Sequence, residues 1–332
     1  MIISMSIILD CTESVLKDAA KSLKSGNLVS FPTETVYGLG ADATNKDAVA
    51  RIYQVKGRPV HHPLIVHLSS IEHLDKWSRD IPEYALSLAR NFWPGPMTLI
   101  LPKTDLAENF ITGGQTNVGI RIPSHSVALK LLKEFEALGG LGIAAPSANR
   151  FGKVSPTTAE AVKIELEKFI KIEDLIIDGG PSLIGIESTI IDCTKRVPVI
   201  LRPGSLTKFT IEELSGISII DNNSNDNLIK ASGLLQSHYA PSAKVFLFGN
   251  PGVNDGYIAL SHFPTPNGAI RLATPKDNEQ YAYQLYKALR LADQQRLQKV
   301  FVVLPDGDGI AIAIRDRLYK AAGLNIKTHG VH

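Results

Sequence analysis

Short apolar runs alternate with helix-spaced apolar patterns through the first 215 residues, and this alternation constrains the fold more than any other feature of the sequence. The run Leu28–Phe31 lies between two helix-spaced patterns, and the run Leu64–Val66 follows the second of them. Brief apolar runs are typical of buried strands, whereas a period near 3.6 is typical of helices. Strands that alternate with helices and then cluster predict an α/β fold with a twisted sheet that is mixed rather than purely parallel.

A polar, asparagine-rich stretch divides the chain. Residues Asp221–Asn227 read DNNSNDN, and the character of the sequence changes over residues 216–243, which we predict to be a linker. Residues 1–215 then form one domain, and residues 244–332 carry the strand and helix spacing of a small Rossmann-like α/β domain. No G-x-G-x-x-G motif opens the first helix of that second domain, so a cofactor site there has no support.

Composition is that of an ordinary globular protein. Of the 332 residues, 44% are hydrophobic and 20% are charged, and the net charge of +2 argues against coating nucleic acid by bulk charge while leaving room for a local basic cleft. Cys11 and Cys193 have no zinc or disulfide spacing, which favours a reducing cytoplasm. The apolar stretch Met1–Leu9 is too short to span a membrane and is predicted to be the first strand.

Polar side chains recur at the ends of the predicted strands, where ligands of open α/β sheets typically bind. Taken singly, each has an ordinary structural explanation, such as a turn, a surface cap or a histidine hydrogen-bonded in the core. Six groups at one sheet edge instead predict a shared pocket for a ligand that carries phosphate and carboxylate. The groups are Thr33 to Tyr37, His67, Asn117 with Arg121, Ser147 with Asn149, Glu187 to Thr189, and Arg202.

The segment Lys56–Leu68, KGRPVHHPLIVHL, adds two cations to this edge. Its prolines keep it out of a helix interior, so Lys56 and Arg58 are predicted to lie on a loop that leads into a strand. These cations can complement the C-terminal end of the preceding helix, or they can form an anion site, because a guanidinium and an ammonium on a rigid loop suit phosphate or carboxylate. The presence of Arg121 and Arg202 at other strand ends favours the anion site.

The motif inventory favours catalysis by positioning and charge neutralisation. The sequence contains neither G-x-S-x-G nor H-E-x-x-H, so a covalent intermediate on a serine and a zinc-protease site are not predicted. Phosphoryl-type transition states need mainly positioning and electrostatic stabilisation. A Mg²⁺ ion held largely by the phosphates of ATP would leave little trace in a sequence.

Seven ordered segments resemble those of the threonylcarbamoyl-AMP synthases, the YrdC-like family. They are SFPTETVYGLGADA, KGRPVHHPLIVHL, WPGPMTLIL, VGIRIPSH, APSANRFGKVSPT, IDGGPSLIGIESTI and LRPG. The HYAP segment at His238–Pro241 and the small domain after it resemble the longer, two-domain form of the family. The resemblance implies an enzyme that forms L-threonylcarbamoyl-adenylate and pyrophosphate from L-threonine, bicarbonate and ATP. It also implies a partner, a transferase that passes the threonylcarbamoyl group to the adenosine beside the anticodon of tRNA.

The resemblance further implies a division of the pocket between two substrates. Thr35, His67, Arg121, Ala145 and Ser188 would surround threonine, and Arg121 would bind its carboxylate. The residues implied to face ATP are Lys56, Arg58, His62, Asn117, Ser147, Asn149, Ser155 and Arg202. Among these, Lys56 and Arg58 would be the catalytic cations that neutralise the phosphates.

Two other functions stay open at this point. A carbamoyl-adenylate-forming enzyme of the hydrogenase-maturation kind shares a YrdC-like domain, but that class normally carries acylphosphatase and zinc-finger segments, and this sequence has neither. An RNA-binding or ribosome-associated module without ATP turnover would use a basic cleft, and its affinity for tRNA would fall steeply with salt.

Overall fold

The structure, a computed structural model, describes residues 8–221, 229–231, 233 and 238–324. The predicted first strand over Met1–Leu9 therefore lies mostly outside the described residues, as does much of the predicted linker. The strands are β1 Ile8–Asp10, β2 Val29–Phe31, β3 Gly38–Asp42, β4 Ile65–His67, β5 Met97–Pro102, β6 Asn117–Arg121, β7 Ile143–Ala144, β8 Leu175–Asp178, β9 Thr189–Asp192, β10 Val199–Arg202, β11 Ile220–Asp221, β12 Lys244–Phe246, β13 Gly256–Ile258, β14 Ile270–Ala273 and β15 Lys299–Val302. The helices are α1 Glu13–Lys24, α2 Lys46–Lys56, α3 Leu74–Trp77, α4 Glu83–Phe92, α5 Asn109–Thr112, α6 Ser126–Ala137, α7 Ala159–Leu166, α8 Lys208–Ser215, α9 Asn278–Gln294 and α10 Ile310–Ala321, with a 3₁₀ turn at Ile71–His73.

The larger sheet is mixed, which confirms the predicted fold class. Its strands lie in the order β1-β8-β2-β3-β7-β4-β6-β5-β9-β10-β11 within the described residues. Strand β4 runs parallel to β6 and antiparallel to β7, and β5 runs antiparallel to β6 but parallel to β9. Because β4 and β6 are parallel neighbours, the residues at their carboxyl ends lie side by side.

Apolar side chains cover both faces of this sheet. Ile176 and Ile177 are adjacent in β8 and point to opposite faces, because side chains alternate along a strand; Ile176 packs with α2 and α7, and Ile177 packs with α1 and α6. Helix α1 begins after Thr12, whose side chain accepts a hydrogen bond from the backbone N–H of Val15, and its buried residues recur at helical spacing.

A smaller sheet, in the order β12-β15-β13-β14 with parallel pairing throughout, forms the C-terminal part of the chain, residues 244–324. Helices α9 and α10 pack on it. Their apolar core also includes Val36, Val154 and Ile186, which belong to the first 215 residues of the chain. The two parts therefore share one apolar cluster. The boundaries predicted at residues 215 and 243 stay predictions. Every helix in the described ranges is too short or too polar to cross a bilayer.

Threonine side chains cap two further helices. Thr158 caps α7 and accepts from the N–H of Ala161, and Thr207 caps α8 and accepts from the N–H of Thr210. An N-cap residue has an extended backbone, and its side chain accepts a hydrogen bond from the N–H two or three residues later. Both caps have this geometry.

Candidate active site

A hollow lies at strand ends of the larger sheet, next to His238 and Tyr239, and we call it the central hollow. Arg58, His67, Arg121 and Arg202, which the sequence places on four separate segments, all line it. The predicted site residues in its wall are Thr35, Arg58, His67, Arg121, Ala145, Ser147, Ser188 and Arg202. The predicted residues Lys56, His62, Asn117, Asn149 and Ser155 lie outside that wall.

Arg121 ends β6 and is held on three sides. Its Nη2 donates to Glu34 Oε1 at 2.5 Å, its Nη1 to Thr35 Oγ1 at 3.0 Å, and its Nε to the backbone oxygen of Gly95 at 3.3 Å. The side chains of Arg121 and Glu34 are only 6% and 7% exposed, so water screens this ion pair little. A guanidinium has five N–H groups, so two remain to donate to a ligand in the hollow.

His67 ends the neighbouring strand β4, directly beside Arg121 in the parallel register. The ring lies at 87° to that of Phe31, with a centroid distance of 6.3 Å. Burial, followed by the charge of Arg121, lowers the pKa of His67 to about 3, so the imidazole is neutral at physiological pH. Its Nδ1 is buried and has no hydrogen-bond partner among the described residues. An unpaired buried acceptor or donor is costly, so this nitrogen is suited to bind a polar ligand.

Arg202 and Ser188 are hydrogen-bonded neighbours in the wall of the hollow. The Nη2 of Arg202 donates to the backbone oxygen of Ser188 at 2.8 Å and to its hydroxyl at 3.1 Å, and the Nε donates to the same backbone oxygen at 3.1 Å. The Ser188 hydroxyl also pairs with that of Thr98 at 2.8 Å. This places a buried guanidinium next to a hydroxyl, a combination that suits phosphate oxygens.

Arg58 lies on the loop after α2, as predicted. Its Nη2 donates to the backbone oxygen of Pro63 at 3.0 Å, and its guanidinium is 5.7 Å from the ring centre of Phe151. Burial lowers the pKa of Arg58 to about 10, which leaves it charged at neutral pH. His62 packs edge-on against Phe151 outside the wall of the hollow, and burial with the charge of Arg58 lowers the pKa of His62 to about 4.

Lys56 is the last residue of α2, so its predicted position on the loop is wrong, and it lies outside the wall of the central hollow. Its Nζ donates to the backbone oxygen of Ser147 at 2.6 Å and to that of Asn149, and only 2% of the residue is exposed. Burial, followed by the charge of Arg58, lowers the pKa of Lys56 well below its ordinary value. Asn149 in turn donates to the backbone oxygens of Arg150 and Lys153 at 2.7 and 2.9 Å. In this conformation the ammonium group supports the loop that carries Ser147.

Asn117 lines a neighbouring, smaller hollow. The described linker residue Lys230 lies there too, and its backbone N–H donates to Gln115 Oε1 at 2.7 Å while its carbonyl accepts from Gln115 Nε2 at 3.0 Å. Asn117 is thus separated from Arg121 by the length of β6 and stands closer to the linker.

Glu187 was predicted at the shared pocket and lines the central hollow, but the sequence assigned it no partner and no role. Its carboxylate accepts from Ser155 Oγ at 2.6 Å, from Tyr286 Oη at 2.8 Å and from Arg317 Nε at 2.9 Å. Burial opposes its charge, but Arg317 and Arg202 with these hydrogen bonds lower the pKa of Glu187 to about 2. Tyr286 and Arg317 belong to the C-terminal part, so no local signal in the sequence identifies them as partners.

Two further wall residues, His238 and Tyr239, belong to the HYAP segment. Tyr239 stacks on Tyr286 with a centroid distance of 5.7 Å, and its backbone has a φ of 62°. His238 is buried, which lowers its pKa to about 3, and its ring centre lies 4.1 Å from that of Tyr239. The motif was visible in the sequence, but its position against the hollow was not.

Comparisons with known proteins match nearly the whole chain. The protein family described as Telomere recombination matches residues 21–204, and the one described as Threonylcarbamoyl-AMP synthase, C-terminal domain, matches residues 206–323. The threonylcarbamoyl-AMP synthase of Pyrococcus abyssi is 39% identical over 97% of this chain and 99% of its own length, and that of Bacillus subtilis is 39% identical over 95% of each. A crystal structure of P. abyssi Sua5 complexed with L-threonine matches with a TM-score of 0.85 at 39% identity, covering 96% of this chain and 98% of that one.

Proposed function

The chain belongs to the threonylcarbamoyl-AMP synthase family, and we propose that it joins L-threonine, bicarbonate and ATP into L-threonylcarbamoyl-adenylate and pyrophosphate. The observation that carries this proposal is the convergence of Arg58, His67, Arg121 and Arg202 on the central hollow. In this reaction the threonine nitrogen forms a bond to the carbon of bicarbonate, and water leaves. A carbamate oxygen then bonds to the α-phosphorus of ATP while the bond to pyrophosphate breaks.

The threonine end of the hollow is the wall formed by Arg121, Thr35 and His67. The two remaining N–H groups of Arg121 suit a carboxylate, because planar guanidinium and carboxylate groups pair by two hydrogen bonds. Glu34 fixes the plane of this guanidinium, so the fork is oriented before the substrate arrives. The neutral His67, with its unpartnered Nδ1, would bind a polar hydrogen of threonine. Ala145 and Ser188 complete this end, the first as a small wall and the second as a hydroxyl.

The ATP end is the wall formed by Arg58, Ser147 and Arg202. Arg58 and Arg202 would neutralise the charge that builds up on the triphosphate as pyrophosphate leaves. Lys56 and Asn149 would act on this end through the loop that carries Ser147 unless ATP binding turns the Lys56 ammonium toward the phosphates. Direct roles for His62, Asn117 and Ser155 in ATP binding are part of the same proposal and rest on the family resemblance.

Mg²⁺ would accompany ATP, bound mainly by phosphate oxygens, and would supply charge neutralisation at the transferring phosphorus. Its fit can be judged from Glu187 in the wall of the hollow and from Glu34 beside it. Glu34 is paired with Arg121, and Glu187 is paired with Arg317. Among the described residues no group of three or more His, Cys, Asp or Glu could hold a metal ion. Phosphate oxygens are therefore the donors that this proposal assigns to the ion.

The product is an activated acyl group, so a transferase must consume it. The proposal places that transferase downstream, acting on the adenosine beside the anticodon of tRNA, and places the reaction in the cytoplasm. Direct contact of this chain with tRNA is a separate part of the proposal.

Pyrophosphate release tests the proposal. The full chain with Mg²⁺ should release pyrophosphate when ATP, L-threonine and bicarbonate are all present, and omission of threonine or bicarbonate should reduce the rate to background. Release that is indifferent to threonine would contradict the synthase reaction. Tight, salt-sensitive binding of tRNA with no pyrophosphate release at all would favour the RNA-binding alternative.

A further inference from the structure

Arg317, in α10 of the C-terminal part, contacts Glu187, a residue in the wall of the central hollow. Arg317 is only 1% exposed. Its Nε donates to Glu187 Oε2 at 2.9 Å, and its Nη1 donates to the backbone oxygen of Pro203 at 2.9 Å and to Asp316 Oδ2 on its own helix at 2.6 Å. One side chain thus joins the segment that enters β9 to the segment that leaves β10.

Both anchor points are sequence neighbours of proposed site residues. Glu187 directly precedes Ser188, and Pro203 directly follows Arg202. Consecutive Cα atoms are fixed about 3.8 Å apart, so a shift of either anchor is passed to the residue beside it. Arg202 also donates to the backbone oxygen of Ser188 at 2.8 Å, so a hydrogen bond links the two site residues directly.

Glu187 gathers contacts from both parts of the chain. Ser155 donates to one of its oxygens and Tyr286 donates to the other, which Arg317 also contacts. A buried carboxylate needs a cation close by. If Arg317 were lost, Arg202 would be the remaining guanidinium whose charge lowers the pKa of Glu187, and Glu187 would then compete with ATP for Arg202.

We propose that Arg317 is a positioning residue for the synthase reaction, which holds Ser188 and Arg202 in the geometry that the substrates require. This rests on the proposed function. The C-terminal part of the chain is then a component of the active site, because its helix α10 fixes two wall segments of a hollow built mainly from the larger sheet. Tyr286 in α9 supports the same carboxylate.

Substitution of Arg317 by methionine in the full chain tests the idea, with Arg315→Met as the matched control. Arg315 lies on the same helix, but its Nη1 donates to the backbone oxygen of Pro305 within the C-terminal part. We expect Arg317→Met to raise the KM for ATP at least tenfold and Arg315→Met to change it less than threefold. A merely structural defect would lower the active fraction, and hence kcat, without changing KM.

Amide hydrogen exchange gives a second readout that does not depend on turnover. Peptides covering residues 186–189 and 201–204 should exchange at least tenfold faster in Arg317→Met than in Arg315→Met. If Arg317→Met does not fold, Arg317→Lys, which keeps the buried charge but not the planar fork, is compared in the same assays, with a KM increase of about fivefold expected.

Two results would overturn the proposal. One is hydrogen exchange in these peptides at the rate of the Arg315→Met control. The other is faster exchange with an unchanged KM for ATP, which would mean that Arg317 only connects the two parts of the chain. If the unmodified chain releases no pyrophosphate, the proposed function fails, while the exchange comparison still decides whether Arg317 holds the two segments.

Discussion

Loss of the Arg121 guanidinium should selectively weaken the use of threonine. Arg121→Met removes two N–H groups that would donate to the substrate carboxylate, and a hydrogen bond to a charged group contributes about 1.5–3 kcal/mol. A loss of about 3 kcal/mol corresponds to roughly a 100-fold fall in kcat/KM for threonine, since about 1.4 kcal/mol is a factor of ten. The same change leaves Glu34 buried without its ion-pair partner, at a cost of about 3–5 kcal/mol in stability.

The experiment therefore combines Arg121→Met with Glu34→Gln, which removes the unpaired charge. Pyrophosphate release is measured against threonine concentration at saturating ATP, and then against ATP at saturating threonine. The matched control is Arg51→Met with Asp174→Asn, a second buried ion pair, at 2.5 Å, whose residues lie outside the wall of the hollow. The threonine effect should appear only in the Arg121 variant, with the KM for ATP changed less than threefold. Equal losses for both substrates, or a threonine effect below threefold, would refute the assignment of Arg121.

Three further outcomes follow from the geometry. Arg58→Met should raise the KM for ATP at least tenfold and leave that for threonine within threefold, as measured by pyrophosphate release; the reverse order would show that the two ends of the hollow are exchanged. Because burial lowers the folded-state pKa of His67 from 6.5 to about 3, its contribution to stability is intact above pH 6.5 and is lost as the pH falls toward 3; about 1.4 kcal/mol should be gone by pH 5.5. Denaturant unfolding should show a smaller acid loss in His67→Gln, and an identical loss would contradict the burial argument. Gly185→Ala should destabilise the chain by about 1–3 kcal/mol more than Gly180→Ala, since both have positive φ but only the Gly185 Cβ would meet backbone atoms of α9, at 2.5 Å; equal melting temperatures would argue against close packing there.

The strand-end residues show what the sequence could predict. His67 and Arg121 each follow an apolar run, and the parallel pairing of β4 with β6 brings them side by side. Polar residues at strand ends can be predicted from a few neighbouring residues, because an apolar run indicates the strand and the next polar residue indicates its end. The convergence of Arg58, His67, Arg121 and Arg202 was predicted on this basis, and all four line the central hollow.

The partners of these residues could not be predicted, because they are distant in sequence. Glu34 pairs with Arg121 across 87 positions, and Glu187 pairs with Arg317 across 130. The sequence shows which side chains are charged, but it does not show which way each side chain points. Lys56 illustrates this, since it ends α2 and directs its ammonium to two carbonyl oxygens, whereas Arg58, two residues later, lines the hollow.

No strand was predicted at β3, Gly38–Asp42. The segment contains two glycines, and a Cβ at Gly40 would lie 2.8 Å from both Phe31 and Ile143 of neighbouring strands. Glycine is present there because the side chains of adjacent strands occupy the space that a larger residue would need. Such crowding is a property of the assembled sheet and is not visible in a local pattern.

A crystal structure of the full chain with ATP and L-threonine bound is the most direct test of the central claim that one hollow holds the amino acid and the nucleotide together. We expect the threonine carboxylate within hydrogen-bonding distance of the Arg121 guanidinium, and the triphosphate between Arg58 and Arg202. Threonine and ATP bound in separate cavities, or a nucleotide bound outside the central hollow, would contradict the claim.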